Sequence, residues 1–152
     1  MVAEGQPAPD FELASDGGER VRLSDFRGRP VVLYFYPRDD TPGCTAEACG
    51  FRDVYDEVRD RGAVVLGVSP DDEAAHARFK AKYGLPFTLL ADPDREVAKA
   101  YGVLREKTMY GKKRLSIDRS TFVIDVDGRV AKAMRSVKPA GHPEQVLAAL
   151  PG

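Results

Sequence analysis

Cys44 and Cys49 are the only thiols in a chain of 152 residues, and they stand five apart within YFYPRDDTPGCTAEACGF, Tyr34 to Phe51. Two sulfurs so close can form a structural disulfide, ligate a metal or exchange electrons with a substrate. Each use makes its own demand on the neighbours. Cys44 follows Pro42-Gly43 and precedes a helical pattern, which puts it in a first helical turn. Unpaired backbone N–H groups and the positive end of the macrodipole favour a thiolate there. Thr41 is expected close enough for its hydroxyl to donate to that sulfur or to a substrate oxygen. Pro37 is expected to form a rigid apolar wall without an N–H.

Geometry limits how the two thiols can combine. On an intact helix, residues five apart differ by about 7.5 Å in rise and point roughly 140° apart. Their Cα atoms are then roughly 8–9 Å apart, beyond the ~7 Å that a disulfide spans. Bonding requires the first turns to unwind, and Gly50 lowers helix stability there by about 1 kcal/mol relative to alanine. Such a pair suits a switch better than a staple. A zinc site needs about four ligands, and only His76 and His142 are at hand, both remote in sequence. A Thr-Pro-Gly-Cys lead-in is a poor setting for an inert core thiol. Both histidines are read as exposed helix residues.

The elements that must position these residues are legible in the patterning. DFELASDGGERVRLSDF alternates on both sides of Asp16-Gly17-Gly18 and reads as a hairpin. PVVLYFYP, Pro30 to Pro37, is a strand buried on both faces. From Thr41 the apolar residues Phe51, Val54, Tyr55 and Val58 keep helical spacing, ended by Gly62. A second buried strand (63–70), a helix (71–84), a third strand (87–92) and a short helix (94–102) follow. Residues 103–119 read as a polar, basic connector, long enough to suspect a functional role. A hairpin turning at Asp127-Gly128 and a helix over 142–152 complete one α/β domain, 1–152. Strands alternating with helices predict a central mixed β-sheet flanked by helices, with the N-terminal β-hairpin beside it. The cysteine segment falls at the carboxyl end of the first buried strand, where such sheets usually bind ligands.

Composition narrows the function. With 23 basic and 24 acidic residues the formal net charge is −1, which gives no reason to expect nucleic acid or a membrane surface as partner. MVAEGQPAPDFELA has neither a basic n-region nor an apolar h-region, so no secretory leader and a cytoplasmic location are expected. In that reducing compartment a static disulfide is disfavoured.

The segment resembles the peroxiredoxins, in particular the bacterioferritin comigratory protein or peroxiredoxin Q group. The family's Pro-x-x-x-Thr-x-x-Cys appears as Pro37, Thr41 and Cys44, and the group's TPGCTxEACxFRD as TPGCTAEACGFRD, Thr41 to Asp53. GVSPDD, FTLLADPDREVAKAYGV and RSTFVIDVDGRV extend the match over nearly the whole chain. The resemblance implies a thioredoxin-like fold and a thiol-dependent peroxidase acting on hydrogen peroxide and organic hydroperoxides. It implies Cys44 as the peroxidatic cysteine, Cys49 as the resolving one in an intramolecular disulfide, and Arg119 as the active-site arginine. Thr41, Gly43 and Arg119 would meet the substrate. Thr45 and Glu47 match group positions but equally suit a helix start, and no chemical role is assigned to them. The implied reductant is thioredoxin, or a glutaredoxin in its place. The chain is expected to be a monomer, and no metal, flavin or haem is implied.

Two other readings use the same cysteines. A thioredoxin-like thiol–disulfide oxidoreductase would share the fold, but such proteins carry C-x-x-C at the helix start and a cis-proline before the late strand. This chain has C-x4-C, and Asp118-Arg119-Ser120 at that strand. A catalytically silent sensor would consume peroxide slowly and oxidise a partner fast.

Overall fold

The computed structural model describes residues 2–150. β1 (Glu12–Ser15) and β2 (Arg20–Arg22) form the N-terminal hairpin, which a 3-10 turn over Leu23–Phe26 leads into β3 (Val31–Phe35). α1 (Pro42–Asp53), α2 (Tyr55–Asp60), β4 (Val64–Ser69), α3 (Glu73–Tyr83), β5 (Thr88–Ala91) and α4 (Glu96–Ala100) follow. β6 (Leu104–Met109), β7 (Lys112–Ile117), β8 (Ser120–Ile124), β9 (Val130–Met134) and α5 (His142–Ala149) complete the described elements.

Seven strands make one sheet in the order β2-β1-β5-β4-β3-β8-β9. β3, β4 and β5 run parallel, while β1, β8 and β9 add antiparallel pairs, so the sheet is mixed. β3 lies inside it, in register with β4 (Val31↔Val64) and β8 (Val31↔Ile124), and all five of its residues are buried. Its alternation divides the core. Val31, Leu33 and Phe35 pack with Leu66, Leu90, Tyr101 and Phe122 on one face. Val32, Tyr34 and Tyr36 pack on the other face with Ala48, Phe51, Phe79 and Val146 from the helices. Successive strand side chains point to opposite faces, which is why an uninterrupted apolar run marks a strand covered on both.

Three expectations change. The helix predicted from Thr41 to Gly62 is interrupted at Val54 (φ −103°, ψ 7°), which separates α1 from α2 while Val54 and Val58 both stay buried. The basic connector is a β-hairpin. β6 and β7 pair from Leu104↔Ile117 to Met109↔Lys112, around Tyr110 and Gly111 at φ 53° and 76°. Two successive positive φ values make the tight turn that suits a twisted hairpin. Residues 105–108 and 112–115 are exposed on both faces, so no apolar alternation announced it. Finally, His76 and His142 are fully buried instead of exposed, because each ring finds polar partners inside. The last helix was expected over 142–152; residues 151 and 152 lie outside the described residues.

Candidate active site

β3 ends at Phe35, and the loop through Pro37, Asp39 and Asp40 delivers the chain to Thr41, the N-cap residue of α1. Thr41 has extended backbone (φ −95°, ψ 157°) and Pro42 opens the first turn, where a missing N–H is tolerated. Cys44 therefore sits among the unpaired N–H groups at the helix start. It is 2% exposed, and both cysteines are free thiols on the same helix. The distance argument for residues five apart thus applies directly, and α1 as folded keeps the sulfurs separate.

Arg119 reaches this turn from the start of β8, 75 residues away in sequence. Its backbone is held by Val137 N–H donating to Arg119 O (3.0 Å). The guanidinium divides its donors: Nη2 lies 3.2 Å from Cys44 Sγ, and Nη1 donates to Glu47 Oε1 at 2.7 Å. A cation at hydrogen-bond distance offers the sulfur a directed, charge-assisted donor beside the helix-start N–H groups. Burial works against the arginine's charge, but Glu47 and the Cys44 sulfur outweigh it, and its pKa is raised.

Gly43 permits this approach. A Cβ there would lie 3.2 Å from Arg119 Nη2 and 3.3 Å from Pro139 Cγ. Thr41 is turned differently from expectation: its hydroxyl donates to Arg38 O (2.9 Å), so its proton is engaged away from the sulfur and its oxygen can accept. Pro37 is exposed at the mouth of the same loop.

Sequence reasoning passed over Glu47. Its side chain is fully buried on α1, and Oε2 has no hydrogen-bond partner. Burial pushes its pKa up to about 7 even though Arg119 pulls the other way. The available signal was spacing: Glu47 lies one helical turn after Cys44, on the same face. Among the described residues no group of three His, Cys, Asp or Glu side chains could hold a metal, and no helix is long and apolar enough to cross a membrane.

A buried thiol at a helix start, met by a guanidinium from a neighbouring strand on a thioredoxin-like sheet, defines a thiol-based oxidoreductase. Residues 4–133 match the AhpC/TSA family. The chain is 51% identical to a putative peroxiredoxin bcp of Coxiella burnetii, over 98% of this chain and 99% of that one. It is 49% identical to peroxiredoxin Bcp of Bacillus subtilis, over 96% and 93%. Among solved structures, the bacterioferritin comigratory protein of Xanthomonas campestris superposes with a TM-score of 0.92 at 42% identity, covering 97% of both chains. A peroxiredoxin Q of Xylella fastidiosa gives 0.93 at 38%, covering 99% and 96%. The chain belongs to the AhpC/TSA family, in its bacterioferritin comigratory protein/peroxiredoxin Q branch. That membership implies thiol-dependent peroxide reduction, with a peroxide as substrate and a thiol as reductant.

Proposed function

We propose that Cys44 is the peroxidatic cysteine and Cys49 its resolving partner. The Cys44 thiolate attacks the terminal oxygen of a hydroperoxide, the O–O bond breaks, and the released oxygen takes up a proton to leave as water or an alcohol. The sulfur has then given up two electrons and stands as sulfenic acid. The start of α1 unwinds, Cys49 attacks that sulfur, an S–S bond forms, and the hydroxyl leaves as water. An external dithiol, thioredoxin or a glutaredoxin, returns both cysteines to thiols. The reading takes the protein as a cytoplasmic monomer.

The observation that carries it is the 3.2 Å contact of Arg119 Nη2 with Cys44 Sγ at the first turn of α1. That guanidinium and the backbone N–H groups beside it can hold the thiolate and the charge that develops on the breaking O–O bond. Thr41 Oγ1, whose own proton goes to Arg38 O, can accept from the peroxide's O–H and orient it. The Xanthomonas relative is described for alkyl peroxide reduction, which supports organic hydroperoxides as substrates beside hydrogen peroxide.

The test is one equivalent of hydrogen peroxide added to reduced protein after the reductant is removed, with intact mass and free thiols followed in time. Loss of two thiols per chain with a mass fall of about 2 Da and no dimer is expected. Slow loss, with a disulfide substrate still reacting, would instead mean a dithiol oxidoreductase.

A further inference from the structure

The loop that carries Thr41 to the start of α1 is fastened at two points to α3, and one fastening is buried. Asp39, with a side chain 6% exposed, makes three polar contacts, two at its carboxylate and one through its backbone N–H. Tyr36 OH donates to its Oδ1 at 2.6 Å, His76 Nδ1 meets its Oδ2 at 2.6 Å, and its own backbone N–H donates to Asp71 Oδ2 at 2.8 Å. Asp71 is held in turn by Ser69 Oγ, at 2.7 Å. The far side of the His76 ring points the other way, with Nε2 2.9 Å from Leu90 O on β5. The outer fastening is Asp40, whose carboxylate accepts from Lys82 Nζ (2.7 Å) and Tyr83 OH (2.8 Å).

Proton counting shows what the inner contact must contain. A carbonyl oxygen only accepts, so His76 Nε2 carries a proton toward Leu90 O. The Tyr36 proton is already spent on Asp39 Oδ1. A contact of 2.6 Å between Nδ1 and Oδ2 still requires one proton between them, so the two atoms form a hydrogen bond that ties ring to carboxylate. A buried pair with every polar atom met is rigid, whereas removing one partner leaves the other stranded in the core. Nothing in the peroxide chemistry touches His76, yet its ring is fully buried and ties α3 and β5 to the loop before α1.

We propose that His76 and Asp39 are positioning residues for peroxide attack: a buried latch that holds the loop from Pro37 to Thr41, and through it the first turn of α1, in the geometry where Cys44 meets Arg119. The proposal rests on the reading of Cys44 as the attacking thiol. A latch acts with opposite sign on the two halves of the cycle. While closed it favours attack, which needs the folded turn. When opened it favours closure of the Cys44–Cys49 disulfide, which needs that turn unwound.

Two rates therefore decide the matter. Oxidation of Cys44 by hydrogen peroxide is timed in a Cys49→Ser background by trapping the sulfenic acid with a dione reagent. Disulfide closure is timed in the chain with both cysteines. His76→Phe and Asp39→Ala are expected to slow the first about tenfold and to quicken the second several-fold. Asp39→Asn supplies the rescue. Its amide N–H can donate to an unprotonated Nδ1 while its carbonyl still accepts from Tyr36, so both rates should stay within about twofold of the parent.

Attack at the parent rate in His76→Phe or Asp39→Ala would overturn the latch. So would slowing of both steps together, the mark of general loosening, or Asp39→Asn behaving like Asp39→Ala. If His76→Phe does not fold, the two Asp39 variants decide alone. The unsubstituted chain separates the two claims: if its thiols ignore peroxide, the parent reading fails, whereas the latch fails only against an active parent.

Discussion

Arg119 is asked to do two things at once, and each can be tested at the level of the side chain. Its planar fork places one nitrogen at Cys44 Sγ and another at Glu47 Oε1. A lysine keeps the charge but offers a single ammonium without the fork. Arg119→Lys is therefore expected to slow oxidation of Cys44 by peroxide by about 10²-fold, the scale of losing one directed donor at a developing charge. Peroxide-dependent thiol loss measures it, and an unchanged rate would remove Arg119 from the mechanism. Glu47 makes a different prediction, about stability. Burial raises its pKa from 4.5 to about 7, so the folded protein holds this proton more tightly than the unfolded chain. Its contribution is fully present below pH 4.5 and is lost as the pH rises through about 7. Between those limits the parent should lose on the order of 3 kcal/mol relative to Glu47→Gln. Urea titrations of both proteins across that range check it, and parallel pH profiles would mean that Glu47 is ionised at no penalty.

At the scale of the element, α1 carries conflicting demands. Under the proposed cycle it would have to be a well-packed helix for attack and give way for disulfide closure. Gly50 serves both. It weakens the helix intrinsically, and it also lets α5 close in, since a Cβ there would lie 2.6 Å from Pro143 Cγ. Gly50→Ala should gain up to about 1 kcal/mol of helix propensity and lose about 1–3 kcal/mol to overpacking against a stiff proline ring. The expected outcome is net destabilisation of up to about 2 kcal/mol by chemical denaturation. A stabilised variant would show that α5 moves aside freely. The other end of α1 is held by Arg52 Nη1 donating to Tyr83 O at 2.8 Å. That tie lies outside the Cys44–Cys49 stretch and can survive its unwinding.

For the whole molecule, the Cys44–Cys49 disulfide should act against the fold. Closing a loop of about six residues limits the unfolded chain by only about 2 kcal/mol. Forming it unwinds the helix from Cys44 to Cys49 and removes Cys44 and Ala48, 2% and 0% exposed, from their packing. Burying such side chains is worth about 1 kcal/mol or more each, before the helix hydrogen bonds are counted. The oxidised protein should therefore melt several degrees below the reduced one. A higher Tm on oxidation would mean that the bond forms without unwinding α1.

Some of this was legible in the order of residues. The continuous apolar run of Val31 to Phe35, the punctuation at Gly62 and Gly84 and the turn at Asp127-Gly128 are local signals, and the elements follow them. So did the place of Cys44, because Thr-Pro-Gly before a helical stretch defines a helix start by short-range sterics and capping alone. The basic hairpin of β6 and β7 was hidden because residues 105–108 and 112–115 are all exposed, so no alternation marks its strands. Long-range contacts were hidden for a deeper reason. Arg119 meets Cys44 across 75 residues, and His76 meets Asp39 across 37. No local preference records such a meeting. It exists only because β8 lies beside β3 in the sheet and α3 packs on the face where β3 ends. A histidine or glutamate on a helix reads as polar surface until the tertiary structure supplies a partner that makes its burial tolerable.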